Sequence, residues 1–373
     1  MLLQPGPRKP KRRLLGVWIT LVAAYIAVAT LFISGGATLR PVQIYGTPTP
    51  VETVEQRITV GDTAFAAGNM AAAEEGYQRA VALAPNNDRA LAKYAMILSY
   101  RRRFSEAVTM ANRAVAADAR SAHNYAILCL ALDWASKYDD AIAAGLKAIE
   151  LDPNLSDGYA YLAEAYADHN RPERALEMAN KAVELDDNSW LAHRNLAYAQ
   201  EHLGKYRAAI AEYQRAIALF PKFAILYMGL AQNLRQVRAS AEAIATFQQA
   251  SDLDPSNPEI LDLLGLIYYE KNDFDKAQSR FKRAIEADPS YAFGYAHLGW
   301  TYYVQRQYEE AIPNFEEAIR RGATANEFNY ELGLSYAFLQ QCDKAQVWLD
   351  KALANEPDSE PARQGKILCA DNK

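Results

Sequence analysis

The chain has 373 residues, half of them apolar, and a formal net charge of -5. That is enough apolar mass for a large core, while the acidic balance argues against nucleic acid as a partner, because phosphate neutralisation dominates such binding. Three cysteines are too few for a scaffold built on disulfides.

At the N-terminus, Arg8, Lys9, Lys11, Arg12 and Arg13 precede Leu14 to Ile33, twenty residues without a charge. At about 1.5 Å per residue such a run is long enough to cross a hydrocarbon core of about 30 Å. The stretch is therefore expected to be one transmembrane helix. The basic flank would hold residues 1–13 in the cytoplasm and place everything after the span outside it. A cleaved signal peptide competes with this reading, since Gly35 and Ala37 supply small residues at cleavage spacing. Residues 34–53, with Gly35, Gly36, Pro41, Gly46, Pro48 and Pro50, have the composition of a short linker. Residues 1–53 hold six basic side chains and one acid, so the total of -5 leaves -10 on the remainder.

From residue 54 onward the chain repeats itself. Ala73, Ala107, Ala141, Ala175, Ala209, Ala243, Ala277, Ala311 and Ala345 stand 34 residues apart, and Ala80 to Ala352 keep the same step. The units run 54–87, 88–121, 122–155, 156–189, 190–223, 224–257, 258–291, 292–325 and 326–359, leaving 360–373 as a cap. Their eighth places are all small: Gly61, Ala95, Cys129, Ala163, Ala197, Ala231, Gly265, Gly299 and Gly333. Within a unit the apolar residues recur at helical spacing, as in Leu261, Leu264 and Tyr268, then Phe274, Ala277, Phe281 and Ala284. Lys271-Asn272-Asp273 between the two runs reads as a turn. Each unit is thus an antiparallel helix pair that buries its apolar face only by stacking on its neighbours. Pro85, Pro153, Pro221, Pro255, Pro289 and Pro357 follow the second helix, and units two, four and eight lack this stop.

The pattern resembles the tetratricopeptide repeat family over nearly all of residues 54–359. Its signature is clearest in Tyr295, Leu298, Gly299, Tyr302, Tyr308, Ala311, Phe315 and Ala318. The resemblance implies an all-α, right-handed solenoid of nine repeats closed by a capping helix, with first helices lining a concave groove for peptides or partner proteins. It implies no catalysis and no cofactor. The bulky residue usual at the twenty-fourth place is present as Tyr77, Tyr213, Phe247, Phe281, Phe315 and Leu349, but units two to four carry Ala111, Gly145 and Ala179. Trp134 and Tyr100 are candidates to fill that space.

In the family, the second, fifth, ninth and twelfth places face the groove. Here they hold Glu259, Asp262, Leu266 and Tyr269, then Phe293, Ala296, Trp300 and Tyr303, then Glu327, Tyr330, Leu334 and Ala337. Tyr269, Phe293, Trp300, Tyr303 and Tyr330 are therefore the expected groove residues, with Trp300 foremost, because Trp and Tyr give much contact area for little side-chain entropy. Packing against neighbouring repeats is the competing role for each. Arg194 and Arg235 are isolated cations that could meet a carboxylate or simply be solvated. The Lys and Asn pattern of the family's carboxylate clamp is absent.

Cys129 fits a small buried slot. Cys342, in the turn of the last unit, and Cys369, near the end of a cap helix that should return beside that turn, are expected to form a disulfide. The five histidines show no metal-ligand spacing, and no phosphate loop or nucleophile motif occurs. The sequence therefore points to a membrane-anchored scaffold for protein or peptide partners, in envelope assembly or secretion. A non-catalytic subunit of an envelope enzyme, such as a glycosyltransferase or peptidoglycan-processing complex, is the alternative.

Overall fold

A computed structural model describes residues 20–26, 30 and 52–370. The chain divides into two units, residues 1–51 and 52–373. In the first, residues 20–26 and 30 are helical and exposed. Among the described residues no helix is long and apolar enough to cross a membrane. This corrects the expectation of a single-pass membrane protein with a cytoplasmic N-terminus and repeats outside. A span needs about twenty residues of continuous apolar helix, and an uncharged run in the sequence is not by itself such a helix. The rest of Leu14 to Ile33, and the linker up to residue 51, lie outside the described residues.

The second unit is all helix and turn; no strand occurs among the described residues. The first helices of the repeats are α1 (Val54–Ala66), α3 (Asp88–Tyr100), α5 (Ala122–Trp134), α7 (Ser156–Asp168), α9 (Trp190–His202), α11 (Ala224–Gln236), α13 (Pro258–Glu270), α15 (Ala292–Val304) and α17 (Asn326–Phe338). The second helices are α2 (Met70–Leu83), α4 (Phe104–Ala117), α6 (Tyr138–Leu151), α8 (Pro172–Leu185), α10 (Tyr206–Leu219), α12 (Ser240–Leu253), α14 (Phe274–Ala287), α16 (Tyr308–Arg320) and α18 (Cys342–Asn355). The cap is α19 (Glu360–Ala370).

Two local devices stop the helices. The turn between first and second helix carries a left-handed residue at the fifteenth place: Gly68, Arg102, Ser136, Asn170, Gly204, Arg238, Asn272, Arg306 and Gln340 all have φ between 56° and 79°. Such a residue just past a helix end lets backbone N–H groups reach the last free carbonyls. After the second helix, Asp118, Asp152, Asp186 and Asp288 each accept the backbone N–H two residues on, at 2.8–3.0 Å. This Asx turn ends units two and four, which lack the proline. In unit eight Gly322, at φ 98°, takes over.

Where the eighth place is glycine, the residue of the twenty-fourth place lies on it, in three units a ring. A Cβ added to Gly61 would come within 2.4 Å of the Tyr77 ring, at Gly265 within 2.5 Å of Phe281, and at Gly299 within 2.9 Å of Phe315. The nine alanines of the twentieth place are fully buried. Where the twenty-fourth place is small, the neighbouring repeat closes in: a Cβ on Gly145 would lie 3.0 Å from Leu162 and from the Cys129 sulfur. Cys129 is free and buried. Trp134 and Tyr100 pack on each other with ring centroids 5.4 Å apart, in an aromatic cluster described below.

The row of repeats bends back on itself. Phe65 at the end of α1 stacks on Phe220 at 5.3 Å and packs edge-on to Phe223 at 5.7 Å, both residues lying between α10 and α11. Arg102, after α3, reaches Glu259 at the start of α13 with a 2.7 Å ion pair and lies over the Tyr291 ring. The turns of units one and two thus meet units five to seven.

Candidate functional site

The curvature splits the inner face into a filled half and an open half. In the filled half, Phe65, Tyr100, Trp134, Trp190, Phe220 and Phe223 form a continuous aromatic plug, with neighbouring ring centroids 5.0–6.4 Å apart. Beside it, α5, α7 and α9 bring a buried polar group together. Arg194 is 8% exposed and forms an ion pair with Glu164, which is 3% exposed. Trp134 Nε1 donates to the other Glu164 oxygen at 2.9 Å, Arg194 donates to Asn195 Oδ1 at 2.6 Å, and Tyr198 donates its hydroxyl to Asp168 at 2.5 Å. Burial opposes the Arg194 charge, but the Glu164 carboxylate and its hydrogen bond outweigh that and raise the guanidinium pKa. Asp133, 2% exposed and with no hydrogen-bond partner for either oxygen, is held well above the ordinary carboxylate range by burial and by Glu164 and Asp168. Arg194 is therefore committed inside the protein. Arg235 is committed too, since its guanidinium grips both oxygens of Glu270.

The open half lies on α13, α15 and α17. Phe293 is 49% exposed, and Tyr269, Trp300, Tyr303 and Tyr330 are half-buried. Phe293 stacks on His297, with centroids 6.0 Å apart, and His297 leans on Trp300 at 5.6 Å. His297 is oriented by Asp262, whose Oδ1 is 2.8 Å from its Nδ1. Trp300 meets Phe328 edge-on at 5.8 Å, yet its buried Nε1 has no acceptor. Tyr303 joins Tyr308 and Phe338 through ring contacts of 5.7 and 6.5 Å. Phe293, His297, Trp300 and Phe328 thus form one chain of ring contacts and Tyr303, Tyr308 and Phe338 another, while Arg194 is held by Glu164 and Arg235 by Glu270 at the end of α13.

One residue of this face was not singled out. Glu331, at the sixth place of the last repeat, has a buried Oε2 without a hydrogen-bond partner. Burial, and then the charge of Glu327, push its pKa up to about 9. The sixth place follows the second by four residues, which sets Glu331 beside Glu327 on one side of α17, and that pairing was the available signal.

A cavity of about 810 Å³ lies not on this face but in the seam where Gly68 to Ala71 and Arg101 to Arg103 meet Leu253 to Pro258. Its three arginines are already paired, Arg101 with Glu74, Arg102 with Glu259 and Arg103 with Glu74 and Glu106. The seam therefore offers no unpaired cation, only the Asp254 and Asp288 carboxylates in its lining, and the aromatic face is the better candidate. Among the described residues no group of His, Cys, Asp or Glu has metal-binding geometry. The sulfurs of Cys342 and Cys369 lie at disulfide distance, with Cα atoms 5.5 Å apart.

Family models for the tetratricopeptide repeat match residues 93–156, 162–222, 203–258 and 297–360, with further matches at 234–297 and 144–177. The chain belongs to the tetratricopeptide repeat family. No curated protein matches it. Among solved structures it is similar to the anaphase-promoting complex hetero-tetramer Cut9–Hcn1, with a TM-score of 0.62 at 16% identity, covering 84% of this chain and 75% of that one. It is also similar to Pseudomonas aeruginosa pilF, with a TM-score of 0.51 at 21% identity, covering 58% of this chain and 98% of that one. At such identities the likeness is one of fold. The tetratricopeptide solenoid is a fold consistent with protein–protein interaction.

Proposed function

We propose that the protein is a non-catalytic scaffold that binds an extended polypeptide segment along α13, α15 and α17. The observation that carries this is the contrast within one inner face: units one to five fill theirs with aromatic rings and the Arg194–Glu164 pair, whereas units seven to nine leave Phe293 half exposed and Tyr269, Trp300, Tyr303 and Tyr330 partly so. The exposed Phe293 ring and the part-exposed tyrosine faces supply contact area for a peptide.

The test is a random heptapeptide library panned on the whole protein. Peptides enriched on the wild type should be lost on Trp300→Ala/Tyr303→Ala and retained on Val347→Ala, whose side chain is 64% exposed on α18. Equal retention by both variants would remove the groove from consideration.

A further inference from the structure

Asp262 on α13 is 2% exposed, and both of its oxygens are engaged: Oδ1 by His297 Nδ1 at 2.8 Å and Oδ2 by the Tyr291 hydroxyl, which donates at 3.3 Å. A carboxylate only accepts, so the His297 Nδ1 carries the proton and the neutral ring keeps its lone pair on Nε2. The ring is also packed against Phe281, Phe293 and Trp300, with centroids 5.5, 6.0 and 5.6 Å away. Its tautomer and its orientation are therefore set before any ligand arrives.

Nε2 is left unused. It has no hydrogen-bond partner among the described residues and, unlike Trp300 Nε1, it is not sealed from solvent, the His297 side chain being 12% exposed. His193 shows the opposite condition, with Nδ1 taken by Glu212 at 2.7 Å and Nε2 by the Asp187 carbonyl at 3.0 Å. His297 stands one turn after Phe293, the half-exposed ring of the open half. An accessible acceptor next to an exposed ring gives an extended peptide one contact for its backbone N–H and one for the flanking side chain. The surrounding charge selects a donor over an anion. The helices α13, α15 and α17 carry five carboxylates and not one Lys or Arg, and Arg102, which reaches the Tyr291 ring, is already paired with Glu259. A ligand carboxylate would be repelled there, and an N–H would not. The neighbours of the imidazole are ring faces, which offer area rather than a second polar contact. The matching donor is then the backbone N–H that every peptide carries.

On the groove reading above, we infer that His297 registers the main chain of the bound segment: its Nε2 accepts one backbone N–H, and the side chain flanking that N–H lies on Phe293. The ligand class is an extended peptide recognised through its main chain and one apolar residue, rather than through charge.

The test takes one heptapeptide enriched on the whole wild-type protein and replaces each backbone N–H in turn by an ester oxygen. At pH 8, where an ordinary imidazole is neutral, one ester should weaken binding to wild type by about threefold to tenfold. His297→Asn removes Nε2 but supplies an amide N–H in place of Nδ1–H, so Asp262 keeps a donor. That variant should bind the parent peptide about threefold to tenfold more weakly, and on it the same ester should cost nothing further. Esters at the other positions should cost the same on both proteins. The wild-type scan stands without the variant: if no ester weakens binding there, the inference is overturned and the groove is left standing. Unchanged binding of the parent to His297→Asn has the same meaning, as does a variant penalty coupled to no ester. A penalty coupled instead to one Ser, Thr, Asn or Gln side chain of the peptide, and lost when that residue becomes Ala, would also overturn the main-chain contact. No enrichment over background would overturn both the groove and this use of His297.

Discussion

Glu331→Gln should change stability, and in a direction opposite to most polar substitutions in a folded protein. The wild-type carboxyl titrates near its ordinary 4.5 when unfolded and at about 9 when folded. Below pH 4.5 both states hold the proton and the residue costs the fold nothing extra. As pH rises above 4.5 the unfolded chain ionises and the folded one does not, so stability falls steadily until the pH passes the folded pKa near 9. At about 1.36 kcal/mol per pH unit, the loss between pH 5 and pH 8 is about 4 kcal/mol. Glutamine has the same shape and no such titration. Urea unfolding followed by circular dichroism at 222 nm, on both proteins at pH 5 and pH 8, measures the difference directly. The variant should gain several kcal/mol relative to wild type between the two pH values. A difference that stays constant within about 1 kcal/mol would refute the assignment of a buried, neutral Glu331.

Arg194→Met should destabilise the array by about 3–5 kcal/mol, because it leaves the Glu164 carboxylate buried without its cation beside Asp133 and Asp168. Urea midpoints read by Trp fluorescence would show it; a cost under about 1 kcal/mol would mean that Arg194 is solvated after all. We propose that Cys342 and Cys369 are bonded, tying α19 to the start of α18 across 27 residues. In the chain-entropy picture such a closure contributes roughly 3–4 kcal/mol. Peptide mapping of unreduced protein should yield the linked pair, and two free thiols in that experiment would dismiss it.

The membrane expectation and the helix pairs rest on different kinds of sequence signal. An apolar run reports length and polarity alone, and so Leu14 to Ile33 could be read as a span although no helix among the described residues qualifies as one. The 34-residue register reports packing, since a glycine at the eighth place is matched by a large side chain sixteen residues later, as Gly265 is by Phe281. Arg194 illustrates what that register omits. It occupies a groove position in the linear pattern, but the fifth unit is where the row folds back, so the same position becomes interior and draws in Glu164 from the preceding repeat.

The sequence alone determined the local and nearest-neighbour structure: helix pairs of fixed length, their order, and the alanines and glycines at their crossings. These follow from interactions within about one repeat, where spacing and side-chain volume are sufficient causes. Only the tertiary structure decided which stretch of the inner wall stays open. That depends on contacts between residues far apart in the chain, such as Phe65 with Phe220 and Arg102 with Glu259, a separation of 157 residues. Small rotations from one repeat to the next add up to bring those partners together, and no single repeat encodes the sum.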